Sequence, residues 1–261
     1  MSGQRSLKFY RVALLLFILL GAAVTTVWDR HLLSSWQAPV KLEIYPVNGD
    51  GSPETEAYIA TLKSTTFADI VNFMDVQSQR YWVKLKQPLT LQLLPHVKSL
   101  PPVPPGGTAN PVQVAWWSLK LRYWAYRHQA GLWPKFGTVR LFVVYYTAPD
   151  GQALQHSLGL RKGAIGIVHA FAKVSQDRQN NIVIAHEMLH ALGASDEYDL
   201  ANNQPIYPSG YADSQQVPLY PQYDAEIMAG RRPLSATEAS MPSSLARCVI
   251  GAKTAFEIGW R

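Results

Sequence analysis

The sequence predicts an α+β domain whose chemistry sits on one helix, preceded by an apolar N-terminal segment. Three observations carry this. From Val40 onward, short alternating or apolar runs interleave with stretches of helical period. One helical stretch holds His186-Glu187-Met188-Leu189-His190, followed by Gly193 and Asp196. At the N-terminus, Arg5, Lys8 and Arg11 precede the apolar run Val12 to Trp28, which Asp29-Arg30-His31 closes.

That run is at the short end for a membrane span and long for a signal-peptide core. Gly21-Ala22-Ala23 is the one candidate cleavage site, and it lies inside the run. The expectation is an uncleaved transmembrane signal anchor over 12–28. Residues 1–11 would be cytoplasmic and the rest of the chain exported, because basic residues precede the run. Secretion after signal cleavage is the alternative. Residues 29–39 read as a linker and 40–261 as the functional domain.

Val40 to Val47 alternates like a first strand. Asn48 to Pro53 is a turn cluster. Glu54 to Gln79 reads as one or two helices, and Tyr81 to Val97, broken at Pro88, as a strand pair. Leu100 to Pro111 has the Pro and Gly content of a surface loop. Gln113 to Leu132 reads as a helix dense in aromatic residues: Trp116, Trp117, Tyr123, Trp124 and Tyr126. Core packing is expected of them, with contact to a membrane surface as the alternative. Val139 to Tyr146 is apolar throughout, as a central strand should be. His156 to Arg161 and Gly163 to Phe171 read as two short strands.

The helix bearing the histidines is expected from Arg178 to Leu192, with Asp177 as N-cap. Ile182, Ala185, Leu189 and Leu192 would form its buried stripe. Residues four apart share a helix face, so His186 and His190 can present two imidazoles to one metal ion. Glu187 would stand beside them as a base for water. Gly193 is placed to take positive φ, end the helix and turn the chain back, which would let Asp196 supply a third ligand. Glu197, Asp199 and the more distant Glu226 are alternatives for that ligand. Beyond it, 197–224 lacks periodicity. Five tyrosines lie there (Tyr198, Tyr207, Tyr211, Tyr220 and Tyr223), each with a hydroxyl able to donate a hydrogen bond to an oxyanion. Ser235-Ala236-Thr237-Glu238 matches a capping box and suggests a short helix. A last helix is expected over 244–257, with Cys248 as a small buried hydrophobe on it.

At His186, Glu187, His190 and Gly193 the sequence resembles the metzincin clan of zinc metallopeptidases, whose signature is H-E-x-x-H-x-x-G-x-x-H. Asp196 stands where that signature has its third histidine, as in the snapalysin type. Ala225-Glu226-Ile227-Met228-Ala229-Gly230 is similar to the clan's Met-turn, with Met228 beneath the metal. The resemblance implies a twisted mixed sheet, an upper subdomain over 40–193 and a smaller irregular lower one over 194–261 ending in a helix. It implies zinc as cofactor, held by His186, His190 and Asp196. It implies an endopeptidase with Glu187 as general base. It also implies that Gly166, Ile167 and Val168, on a strand ahead of the zinc helix, bind substrate backbone by strand addition. Two other functions fit the ligand set: a zinc hydrolase acting on a cell-envelope amide, and a non-catalytic zinc-binding envelope protein.

Composition narrows the partners. The net charge of +6 is spread along 261 residues, without the basic block interleaved with aromatics that nucleic-acid binding calls for. A single cysteine excludes an intrachain disulfide framework. The expected partners are a peptide or protein substrate and a membrane, the latter through the N-terminal segment.

Overall fold

The computed structural model describes residues 2–106, 108–131, 135–147, 158–160 and 164–260. In chain order the elements are α1 (Ser2–Ser35), β1 (Val40–Asn48), α2 (Pro53–Thr61), α3 (Ala68–Arg80), β2 (Leu89–Leu93), α4 (Pro111–His128), β3 (Thr138–Tyr146), β4 (Leu158–Leu160), β5 (Ile165–Phe171) and α5 (Asp177–Leu192). The short pieces β6 (Ala225–Glu226), β7 (Arg232–Pro233), β8 (Ala239–Ser240) and β9 (Cys248–Val249) then lead to α6 (Ala252–Glu257).

Five strands form one sheet in the order β2-β1-β3-β5-β4. β2, β1, β3 and β5 are parallel, and β4 joins antiparallel at the edge. The central strands are buried on both faces, which is why Leu141-Phe142-Val143-Val144-Tyr145 shows no polar alternation. Leu42, Ile44, Leu141, Val143 and Val168 face one layer, with α3 and α5 in the same core cluster. Tyr45, Val47, Phe142 and Val144 face the other, against Trp117, Leu121 and Ala125 of α4. The handedness of crossovers accounts for this division. The step from β1 to β2 and the step from β2 back past β1 to β3 run in opposite directions. Right-handed connections must then cross on opposite faces.

The architecture is therefore mixed α/β, with helices on both faces of a mainly parallel sheet, instead of the segregated α+β arrangement expected. Other expectations are corrected in detail. Tyr81 to Val97 yields one strand, β2, because the stretch before Pro88 stays irregular. Ser235 caps a turn, accepting from the backbone N–H of Thr237 and Glu238, but the chain continues as the hairpin β7–β8 and forms no helix. Over 244–257 only Ala252–Glu257 is α-helical, and buried Cys248 lies in β9, paired with Ala225. Of the aromatics on α4, Trp117 is buried while Trp116, Tyr123 and Tyr126 are exposed. For the strand read over His156–Arg161, only Leu158–Leu160 lies within the described residues.

The N-terminal segment is also revised. Among the described residues no helix is long and apolar enough to cross a membrane, so the spanning anchor is not supported. Nor are residues 29–39 a free linker. α1 continues through them to Ser35 and docks on the domain. Leu33 and Trp36 are buried, the Trp36 indole donates to the Ile258 carbonyl at 2.7 Å, and Asp29 accepts from the Gly137 N–H at 2.7 Å.

Candidate metal centre

α5 lies almost wholly inside the protein, and its polar side chains are anchored accordingly. Asn180 bonds both the N–H and the carbonyl of Phe171, tying the helix to the end of β5. Asn181 donates to the Thr66 carbonyl. Asp177 is the first helical residue and not the N-cap. It accepts from the Tyr58 hydroxyl at 2.5 Å. Ile182, Ala185, Leu189 and Leu192 are buried, as their spacing predicts.

Gly193 ends the helix at φ 119°. Its N–H donates to the His190 carbonyl and that of Ala194 to Leu189, both at 3.0 Å, which is the bonding of a Schellman motif. The chain then reverses. Glu257 of α6 secures the return by accepting from the Ser195 N–H at 2.6 Å and the Ser195 hydroxyl at 2.5 Å. Asp196 is thereby carried back over the helix. Its Oδ1 lies 3.2 Å from His186 Nε2 and 3.0 Å from His190 Nε2.

The other face of each imidazole is fixed by backbone. His186 Nδ1 is 3.0 Å from the Ile227 carbonyl, and His190 Nδ1 is 2.8 Å from the Ala194 carbonyl. A carbonyl can only accept, so both Nδ1 atoms carry the proton in the neutral ring. Both Nε2 lone pairs are left aimed at a carboxylate oxygen. Three electron-rich atoms facing one another repel unless a cation lies among them. Tetrahedral zinc with bonds of about 2.0–2.2 Å sets its ligand atoms roughly 3.3 Å apart, close to the separations seen. The residues present fit the ion.

Glu187 completes the group. Its ligating atom and those of His186 and His190 lie within 4.8 Å of one another. Glu187 is 5% exposed, and its Oε2 has no hydrogen-bond partner. Burial raises its pKa, offset only in part by the two histidines. For Asp196, burial acts upward, but its contacts with the two imidazoles dominate and hold it well below the usual carboxylate range. For His186, burial acts downward, yet Asp196, Glu187 and the Ile227 carbonyl together raise it.

The turn at 225–230 supplies the floor. Met228 is fully buried in the same core cluster as α5. Its backbone carbonyl accepts from the Glu197 N–H. Glu226 is not a ligand. Its buried carboxylate accepts from the N–H of Met228, Ala229 and Gly251 and from the Thr254 hydroxyl, and so locks the turn to α6. Glu197 is likewise turned away, toward Lys253 at 2.6 Å and Ser209 at 2.5 Å. Asp199 caps a local turn through the Ala201 N–H. Asp196 is the acid that meets both imidazoles.

A cavity of about 320 Å³ opens beside His186 and Glu187. Phe171, Ile182, Val183, Tyr198, Arg231 and Met241 are among the residues that line it. Tyr198 is the one residue of the five tyrosines among its lining residues. Burial raises its phenol pKa, with the Asp196 and Glu187 charges adding to the effect, so it remains a proton donor. Gly166, Ile167 and Val168 do not border the cavity. Ile167 and Val168 are buried, and β5 has β3 on one side and β4 on the other, so no strand can add there. His169 and Phe171, farther along β5, reach the cavity instead. The contributions of Glu257, Ser195 and Glu226 escaped sequence reasoning because each joins residues far apart in the chain.

Comparison with known proteins adds no relative. The chain matches no family model and no curated protein sequence.

Proposed function

We propose that the protein is a zinc-dependent endopeptidase. The observation that carries this is the convergence of two backbone-oriented Nε2 atoms and one carboxylate oxygen, with a buried glutamate beside them whose Oε2 has no hydrogen-bond partner. His186, His190 and Asp196 hold the ion. Zinc, when bound, supplies a Lewis acid that acidifies water and polarises a carbonyl. Glu187 accepts the proton of the attacking water at its carboxylate and returns it to the departing amine. Burial raises the basicity of this carboxylate, the direction such a transfer needs. The apolar lining residues Phe171, Ile182, Val183 and Met241 receive a substrate side chain. Tyr198 offers a hydrogen-bond donor at the cavity wall.

The clan resemblance at 186–230 supports peptides as substrates. The apolar side chains that α1 leaves uncovered support placement of the domain at a membrane surface. Phe9, Leu14, Phe17, Leu20, Val24 and Val27 of α1 are all exposed.

Glu187→Gln tests the assignment. The variant should bind zinc as the wild type does and lose peptide hydrolysis by about 10²–10⁴-fold. Wild-type cleavage by that variant would refute the mechanism. Zinc binding without chelator-sensitive peptide cleavage in the wild type would refute the activity and leave a structural metal site.

A further inference from the structure

α4 is apolar on two sides. Trp117, Leu121 and Ala125 meet the sheet. On the outer side Val112, Trp116, Leu119, Tyr123 and Tyr126 follow in steps of four, three, four and three. They are 76%, 60%, 59%, 64% and 50% exposed. Residues so spaced form one stripe along a helix. The uncovered area is on the order of 600 Å², taking about 200 Å² for each of these large side chains. That is at the upper end of what a monomeric soluble protein leaves open, and it calls for an occupant.

Charge selects the occupant. Gln113, Lys120 and Arg127 border the stripe on one side, and Ala115 and Arg122 on the other. α4 contains no acidic residue. A second copy packed stripe to stripe would face lysine and arginine with lysine and arginine along the seam, which is repulsive. Anionic headgroups complement the same border. Trp and Tyr are the side chains that rest at the headgroup level of a bilayer. Lys120 Nζ lies 5.5 Å from the centre of the Trp116 ring, at the end of a stem long enough to reach a phosphate while its methylenes stay on apolar surface. We propose that the outer face of α4 rests on an anionic lipid surface, its rings in the interface and Lys120 and Arg127 on headgroup phosphates. This contact is separate from α1 and from the metal centre.

The test reads α4 alone in the full chain. Leu119→Cys in a Cys248→Ala background takes a polarity-sensitive fluorophore at the middle of the stripe. On vesicles of phosphatidylglycerol and phosphatidylcholine its emission should shift to the blue and rise several-fold. On phosphatidylcholine alone it should not. Adding Lys120→Glu and Arg127→Glu should abolish the shift. So should Trp116→Ser with Tyr123→Ser, whereas Trp116→Phe with Tyr123→Phe should keep it. Unchanged zinc binding checks that each variant is folded. Protein that pellets with anionic vesicles while the label stays in water would overturn the proposal, because α1 alone would then hold the chain. An equal response on neutral lipid would overturn it as well. So would a lipid-free signal that grows with protein concentration, since a second copy would then cover the stripe.

Discussion

Removing the Glu257 carboxylate should weaken zinc binding, although Glu257 touches neither the ion's ligands nor the cavity. It accepts from the Ser195 N–H and the Ser195 hydroxyl, at 2.6 and 2.5 Å. These bonds hold the reversed chain that presents Asp196. Hydrogen bonds to a charged group are worth about 1.5–3 kcal/mol each. Glu257 is half-buried, so water can replace part of what Glu257→Ala removes, and a net loss of about 1–2 kcal/mol is reasonable. At 1.4 kcal/mol per factor of ten, zinc affinity should fall by about five- to thirty-fold. Loss of a partner behind a metal ligand commonly has an effect of this size. Competition with a chromophoric chelator measures it directly. Asp196→Ala should cost more, since it removes the ligand itself. If Glu257→Ala binds zinc as tightly as wild type while Asp196→Ala does not, the return loop needs no clamp and the reasoning fails. If Asp196→Ala also binds normally, Asp196 is not a ligand.

Gly193→Ala should cost about 1–2 kcal/mol in thermal unfolding, because its φ of 119° disfavours any side chain and the new Cβ would sit 3.2 Å from the Glu257 carbonyl oxygen. An unchanged melting temperature would show that the turn relaxes freely. Glu226→Ala should destabilise by about 3 kcal/mol, since it strands the N–H groups of Met228 and Gly251 and a buried hydroxyl; a chemical denaturation curve that superimposes on wild type would contradict that role. The pH dependence should change sign with the metal. His186 has a raised pKa in the folded metal-free protein. Its contribution is complete below the unfolded value of about 6.5 and is lost as pH rises through the folded one. Melting in chelator should therefore fall as pH climbs above about 6.5. The stabilisation by added zinc should grow over the same window, because ligation needs the neutral ring. Parallel trends with and without zinc would sink this.

Two apolar features are exposed: the side chains of α1 and the stripe on α4. The end of α1 is nonetheless part of the fold. Trp36 packs on Trp260 with ring centres 5.3 Å apart, and its indole is bonded to Ile258.

What the sequence alone determined is whatever depends on residues within a turn or two of one another. Helical spacing sets His186 and His190 on one face and Glu187 beside them. Gly193 announces the reversal because only a residue without a side chain takes that backbone conformation cheaply. The continuous apolar run of β3 foretells a strand covered on both faces. The tertiary structure decided everything that needs a distant partner. It brought Asp196, and not Glu197, Asp199 or Glu226, to the imidazoles, because Lys253, Ser209, Thr254 and the backbone of 228–251 occupy two of those acids while Asp199 caps its own turn. It paired β4 on β5, which withdrew 166–168 from any substrate, and it left one aromatic face of α4 uncovered. A side chain's local pattern records which face it shares, but which partner that face meets follows from the packing of elements far apart in the chain.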